Sequence, residues 1–429
     1  MMLLGVLVAA CAVVLVIYRV EIRLVLIGAG FLMACLAGKP LAIVDKFAIS
    51  MVAGMVAPIC AAMGFAAVMR ATACDTHLVR LLTAPLTALR WALVPAGILV
   101  AYVVNVAIPS QTSTAAALGP ILVPLLLASG HTQLTAGAAL VIGSSFGGDL
   151  LNPGAQDVLV IAAKAGVSAT ELSSRLAPAS AAGVLVAAVL FAMLNLRRTQ
   201  TALPVAAVDP NAPRIHLGKA LIPLLPVALV FAAYGGVPAL DWLIAPTQDP
   251  VAPEIAKQLP VVRAMLIGAT VALVVSYRQA QPMTRAFFEG MGAAYANIIS
   301  LTIAAQCFGA GLAALSIDRL LFSLAKQSHA VSLLSGAFPW ALSVLTGSGS
   351  GPIQTFAETI LTQVDAPHEA TVLGAVACLG GALGRTMSPV AAVVVYSASL
   401  VGVSPRDLVQ KLLPSLAAGA AVAFAVAVR

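Results

Sequence analysis

Apolar runs long enough to cross a lipid bilayer follow one another along the chain, separated by single charges or by Pro/Gly-rich breaks. A crossing helix needs about 20 apolar residues, and on that measure the first half predicts spans at 2–18, 22–38, 47–69 and 176–196. Trp91–Gly148 contains no Asp, Glu, Lys or Arg and is too long for one crossing. Its polar tip Pro109-Ser110-Gln111-Thr112-Ser113 lies between two apolar arms, a pattern that predicts a re-entrant hairpin over 91–129. The next run, 133–163, is interrupted at Gly147-Gly148-Asp149-Leu150-Leu151-Asn152-Pro153 and predicts a broken helix. After a polar linker, 198–218, the series returns as 219–237, 260–277, 287–315, a hairpin over 329–363, a broken helix over 369–399 and a last span at 408–428. The second hairpin turns at Thr346-Gly347-Ser348-Gly349-Ser350-Gly351-Pro352, and the second helix breaks at Gly384-Arg385-Thr386-Met387-Ser388-Pro389.

The two series are related residue by residue. An offset of 236 places Pro153 on Pro389, Gly166-Val167-Ser168 on Gly402-Val403-Ser404, and Leu172 on Leu408. It also places Pro178 on Pro414, Ala181-Ala182-Gly183 on Ala417-Ala418-Gly419, and the tip Ser110–Ser113 on Thr346–Gly349. Prolines and a Gly-Val-Ser triplet in one register indicate a duplication, because shared apolar composition alone would match Ala and Val at scattered offsets. Each half, 1–197 and 219–429, has five crossings and a hairpin. Five is odd, so the second copy must lie upside down. The expected fold is therefore an all-α membrane protein of two inverted repeats with two re-entrant hairpins and two broken helices.

Composition supports lipid as the solvent. Of the 429 residues 61% are apolar and 9% charged, against about 25% charged in soluble domains. Mean hydropathy is +1.03. The formal charge of +7 does not indicate nucleic acid, because basic residues stand singly or in pairs with no basic stripe. They act as topology signals instead. With the N-terminus outside, the inner segments hold thirteen basic and five acidic residues and the outer ones nine and eight. That bias predicts a multi-pass protein of the cell inner membrane with a cytoplasmic linker and both termini periplasmic. The N-terminal apolar run has no basic segment before it and reads as the first span, not a cleaved signal. Six cysteines without CxxC or a Cys/His cluster predict neither a disulfide frame nor a metal site. The five histidines fall near interfaces or loops and read as solvated.

Candidate chemistry gathers where the helices are interrupted. Unwound backbone inside a bilayer must be satisfied by protein or water, and paired breaks in inverted repeats point to a midplane substrate site. The tips supply Ser110, Gln111, Thr112 and Ser113, then Thr346, Ser348 and Ser350, whose hydroxyls and amide suit carboxylate oxygens. Asp149, Asp157, Glu358 and Arg385 are ionisable residues at membrane depth, a costly placement that marks functional candidates. Asp149 and Arg385 are equivalent under the offset. They can meet as an ion pair near the pseudo-two-fold axis. Alternatively Arg385 grips a substrate carboxylate, or anchors a helix end by snorkelling. Asp149, Asp157 and Glu358 are candidates to carry a coupling ion, H⁺ or Na⁺. Asn152 and Ser388, also equivalent, each precede a breaking proline and can cap the following half-helix or face ligand. Asn105 can line the site or brace the first hairpin. No nucleophile–base pair, P-loop or cofactor motif is present in the sequence, so neither an enzyme nor an ATP-driven pump is expected.

Taken together, the tip Pro109–Ser113, the break Gly147–Pro153, the run Gly347–Pro352 followed by Ile353-Gln354-Thr355, and above all Gly384-Arg385-Thr386-Met387-Ser388-Pro389 resemble the DcuC family of anaerobic C4-dicarboxylate transporters, within a wider ion-transporter superfamily. The resemblance implies an elevator-type carrier, working as a homodimer, that moves succinate, fumarate or malate with protons or other cations, or by exchange. The tips depart from the Ser-Asn-Thr of Na⁺-using relatives, so no sodium ligand carries over by identity. Other readings are the large membrane subunit of a tripartite periplasmic carrier, a cation/proton antiporter of the same superfamily, and an intramembrane enzyme or channel.

Overall fold

The computed structural model describes residues 2–18, 20–52, 56–84, 92–195, 215–247, 256, 258–317 and 331–428. These are mostly helical, with no strand among the described residues. Among the described residues six helices are long and apolar enough to cross a membrane, or seven if one bent pair counts as a span, and six further apolar helices are shorter. Most of the linker 198–218 falls outside the described residues, as do the topology-bearing Arg19, Arg90, Arg197, Arg198 and Arg214.

An outer group of helices opens each half. In the first it comprises α1 (Met2–Ile17), α2 (Ile22–Leu36), α3 (Leu41–Ser50), α4 (Val56–Ala71) and α5 (Cys74–Thr83). The single span expected at 47–69 is not continuous. Helix α3 ends at Ser50, α4 starts at Val56, and α5 follows with a bend of 73°. At the bend, just beyond the end of the expected span, Ala73 adopts the left-handed conformation, φ 56°, which ends α4. In the second half the outer group is α11 (Leu217–Leu221), α12 (Leu225–Tyr234), α13 (Asp241–Ile244), α14 (Leu259–Val275), α15 (Ala280–Ala294) and α16 (Ser300–Ala314). A π-helical turn, Tyr295–Ile299, joins α15 to α16.

The inner group of the first half holds α6 (Leu93–Ala107), α7 (Gln111–Ala128), α8 (Gln133–Ser145), a 3₁₀ turn at Asp149–Leu151, α9 (Gln156–Ala165) and α10 (Ala169–Leu194). The second half holds α17 (Val331–Thr346), α18 (Ser350–Thr359), α19 (Pro367–Thr386), α20 (Ala392–Val401) and α21 (Pro405–Ala427). Helices end and restart between Ala107 and Gln111, between Ser145 and Gln156, between Thr346 and Ser350, and between Thr386 and Ala392. The closing helices start earlier than the apolar pattern indicates, at Ala169 and Pro405, because Ser168 and Ser404 cap them by accepting the amides of Glu171 and Asp407, each at 3.1 Å. Gly166 and Gly402, both at φ 70°, end the preceding helices.

Glycines decide how closely helices pack. α10 lies against α21, and α2 against α16. A Cβ on Gly419 would meet the Gly183 carbonyl oxygen at 2.5 Å, and one on Gly183 would meet that of Gly419 at 2.8 Å. Residues related by the offset of 236 thus touch each other. Gly30 and Gly311 form a similar crossing, where a Cβ on Gly311 would stand 2.5 Å from the Gly30 oxygen. Close backbone approach of this kind replaces the hydrophobic drive that is absent between helices in lipid.

Candidate functional site

The two tips and two breaks converge. At the first break, the freed backbone groups find side chains. The Gly147 carbonyl accepts from Ser180 Oγ (3.0 Å), which in turn accepts from Tyr102 Oη (2.8 Å). The Asp149 amide donates to Asn105 Oδ1 (2.9 Å), so Asn105 braces the hairpin against the break. Asn152 ties the same parts together: Nδ2 donates to the Val106 carbonyl (2.8 Å) and Oδ1 accepts from the Gly154 amide (2.8 Å). At the second break Ser388 Oγ accepts from the Val390 amide (3.4 Å). Asn152 and Ser388 therefore hold equivalent turns two residues long. Neither caps the first turn of the half-helix that follows.

The second tip rests on the second break. Gly347 has φ +73°, and a Cβ there would meet Ala391 N at 2.9 Å. Only glycine suits such a turn. A Cβ on Gly349 would stand 3.0 Å from an Arg385 guanidinium nitrogen. Thr346 is occupied by the tip itself: Oγ1 donates to the Leu342 carbonyl (2.8 Å) and accepts from the Ser348 amide (3.3 Å). In the first tip Ser110 caps α7, with its Oγ 2.9 Å from that of Ser113. Thr112 and Ser113 are half-buried in the first turn of α7, and Ser348 is half-buried at its own tip.

Arg385 is the centre of this arrangement. It is 7% exposed, and Asp149 and Asp157 are 4% and 2% exposed. A guanidinium nitrogen stands 3.5 Å from Asp149 Oδ2, and another 3.8 Å from Asp157 Oδ2. Arg385 is therefore buried in ion pairs and does not snorkel. Gln111 Nε2 donates to Asp149 Oδ2, and Gln156 Nε2 donates to Ser350 Oγ across the halves. Thr386 Oγ1 bonds the Ser145 carbonyl (2.7 Å), linking the two broken helices. The ion pairs are long. Arg385 Nε and Nη2, Asp149 Oδ1 and Asp157 Oδ1 have no hydrogen-bond partner. One cation faces two carboxylates, a formal charge of −1 in a buried place.

Glu358 is not part of this centre. It lies on α18, paired at 2.9 Å with Lys164 of α9. His131, expected to be solvated, is 8% exposed. Sequence reading missed Gln156, Lys164, Tyr102 and Ser180. Gln156 had a usable signal, as the first residue of the half-helix after the break. The others depend on tertiary neighbours.

The family model for DcuC, the C4-dicarboxylate anaerobic carrier, matches residues 40–428. The anaerobic C4-dicarboxylate transporter DcuC of Escherichia coli K12 is 25% identical over 368 residues, 81% of this chain and 75% of that protein. An uncharacterized transporter of Haemophilus influenzae is 28% identical over 283 residues, 62% of this chain and 96% of that protein. Among solved structures, the YdaH transporter of Alcanivorax borkumensis shares the fold with a TM-score of 0.58 at 17% identity, over 90% of this chain and 86% of the other.

Proposed function

This chain belongs to the DcuC family of C4-dicarboxylate carriers, and from that membership we propose that it moves succinate, fumarate or malate across the inner membrane by elevator-type alternating access, driven by protons or run as an exchange. It is an integral membrane transporter and not an enzyme.

The observation that carries this reading is Arg385 shared between Asp149 and Asp157 where both tips and both breaks meet. A guanidinium is the side chain best shaped to hold a carboxylate in a two-point grip. Its Nε, buried without a hydrogen-bond partner, suits an incoming carboxylate, which would take over Nη2 from Asp149. In this reading Gln111 and Ser350, with the half-buried tip hydroxyls Ser110, Thr112, Ser113 and Ser348, line the approach. The charge balance supplies the coupling. A dianion added to a cluster of −1 would meet like charge, and two unit charges about 5 Å apart at an effective dielectric of about 20 repel by about 3 kcal/mol. A proton on Asp157 or Asp149 removes that repulsion and frees one side of Arg385. Substrate and proton then bind together.

The two halves act as inverted repeats in this proposal, with both termini periplasmic. Support comes from residues 236 apart that meet each other, Gly183 with Gly419 and Asp149 with Arg385. It also comes from Lys164 and Glu358, which the predicted topology sends to the same outer side and which pair. The homodimer rests on the family resemblance.

Uptake of labelled succinate into liposomes holding only this protein tests the function, with imposed pH and Na⁺ gradients and internal fumarate. Saturable uptake stimulated by an acid exterior or by fumarate is the expected result. A folded protein that takes up no succinate under any gradient would remove the substrate assignment.

A further inference from the structure

A second polar line leaves the central cluster along the seam between α9 and α18. Gln156 donates to Ser350 and Lys164 donates to Glu358, and both pairs are 194 residues apart. A constant offset means that the two helices run parallel in register. Eight residues separate the rungs, about 12 Å at the helical rise. The same offset sets Gln354 opposite Val160, midway between them. Gln354 is 1% exposed, and neither its oxygen nor its nitrogen has a hydrogen-bond partner. Buried polar groups in this condition are held by internal water in folded proteins.

The ends of the line differ. At the inner end Gln156 donates to Ser350 and is followed directly by Asp157, which faces Arg385. At the outer end the Lys164 side chain is 20% exposed and that of Glu358 only 6%. The groups facing Glu358 are Lys164 from α9 and Cys307 from α16, with Lys46 of α3 beyond Cys307. α17 contributes no titratable residue, and His368 and Glu369 of α19 are exposed. On the α16 side Gly309 packs closely on Glu358, where a Cβ would stand 3.1 Å from the Glu358 Cβ. The carboxylate is thus shielded by α16 and reaches the outside past Lys164. An ammonium 2.9 Å away opposes a bound metal cation and also disfavours a resting proton on Glu358, so the carboxylate holds a proton only in passing.

We infer that this seam is a proton path: Glu358 takes up a proton at the outer rim, water held by Gln354 relays it, and the Ser350 hydroxyl passes it to Asp157. Each relay group accepts one proton and releases one, so only the proton moves. The inference rests on the reading that protons drive uptake, and it adds a route that the central cluster does not itself contain.

The test compares two modes of one preparation in liposomes. Gradient-driven succinate uptake with an acid exterior needs net proton movement. Succinate counterflow at equal pH does not. The variants are Gln354→Leu, which keeps the side-chain volume, and the double variant Glu358→Gln with Lys164→Gln, which leaves no lone buried charge. Counterflow is expected at the wild-type rate, which also shows that the variants fold. Gradient-driven uptake is expected to fall about a hundredfold, the low end for loss of a positioned proton-transfer group. Variants that keep gradient-driven uptake beside a responsive wild type overturn the path alone. Variants that lose counterflow in step with it overturn the path as well, because Glu358 and Gln354 then serve the carrier cycle itself. A wild type whose succinate uptake ignores the pH gradient overturns proton coupling and the path together.

Discussion

Replacing Asp157 by Asn tests the charge balance on which coupling rests. Asp157 Oδ2 lies 3.8 Å from an Arg385 guanidinium nitrogen, and at an effective dielectric of about 20 two unit charges at that separation attract by about 4 kcal/mol. A substrate carboxylate that approaches Arg385 competes with this attraction. Asn keeps the shape and much of the hydrogen bonding but removes the charge. If only a third of the attraction is returned to the substrate, about 1.4 kcal/mol, the Kd for succinate falls tenfold. The fold should survive, because Arg385 still pairs with Asp149 at 3.5 Å. In the wild type the same gain requires a proton. The bound state then holds more protons than the free state, so affinity rises as pH falls. Isothermal titration of purified protein with succinate at pH 8 and pH 5.5 reads both effects. Asp157→Asn should bind about tenfold tighter than wild type at pH 8 and should vary much less between the two conditions. A variant that kept the full wild-type pH dependence would falsify the assignment of the proton to Asp157. Weaker binding at both pH values would mean instead that Asp157 contacts the substrate.

Arg385→Lys should keep the charge and lose the two-point grip; losing one charged hydrogen bond, about 1.5–3 kcal/mol, raises the succinate Kd by roughly one to two orders of magnitude, measurable in the same titration. Gly419→Ala places a methyl 2.5 Å from the Gly183 oxygen, and overpacking of this kind should lower stability by about 1–3 kcal/mol, seen as a lower Tm in detergent. Asn152→Ala removes the bonds to Val106 and Gly154 and should cost about 2 kcal/mol at roughly 1 kcal/mol per bond. A Tm unchanged from wild type would show that the first break is held by other contacts.

Much of this architecture was legible in the sequence because its signals are local. Proline and glycine interrupt helices wherever they occur, so the turn at Gly347–Pro352 and the breaks before Pro153 and Pro389 stand out from the apolar background. The offset of 236 offered the pairing of Asp149 with Arg385 as one of several readings, since in the inverted repeat we propose equivalent residues near the two-fold axis are neighbours. The end of α3 at Ser50 escaped notice because apolar residues continue past it. The partnership of Lys164 with Glu358 escaped for another reason. The two positions are 194 residues apart, a separation belonging to the crossing of α9 and α18 and not to the repeat. Under the offset Glu358 corresponds to Leu122, so no echo in the first half marked it.

The Asp149–Arg385 pair also bears on how such a chain acquires asymmetry. In the inverted-repeat arrangement we propose, a residue on the two-fold axis faces its own counterpart. Glycine can do this without penalty, as Gly183 and Gly419 do. A charged residue cannot, because two identical halves would set aspartate against aspartate or arginine against arginine. Opposite charges at positions 149 and 385 can arise only when the two halves are written separately and free to differ. The central ion pair is therefore something that a symmetric assembly of identical halves could not make at that place, and with it comes a built-in distinction between the two sides of the site.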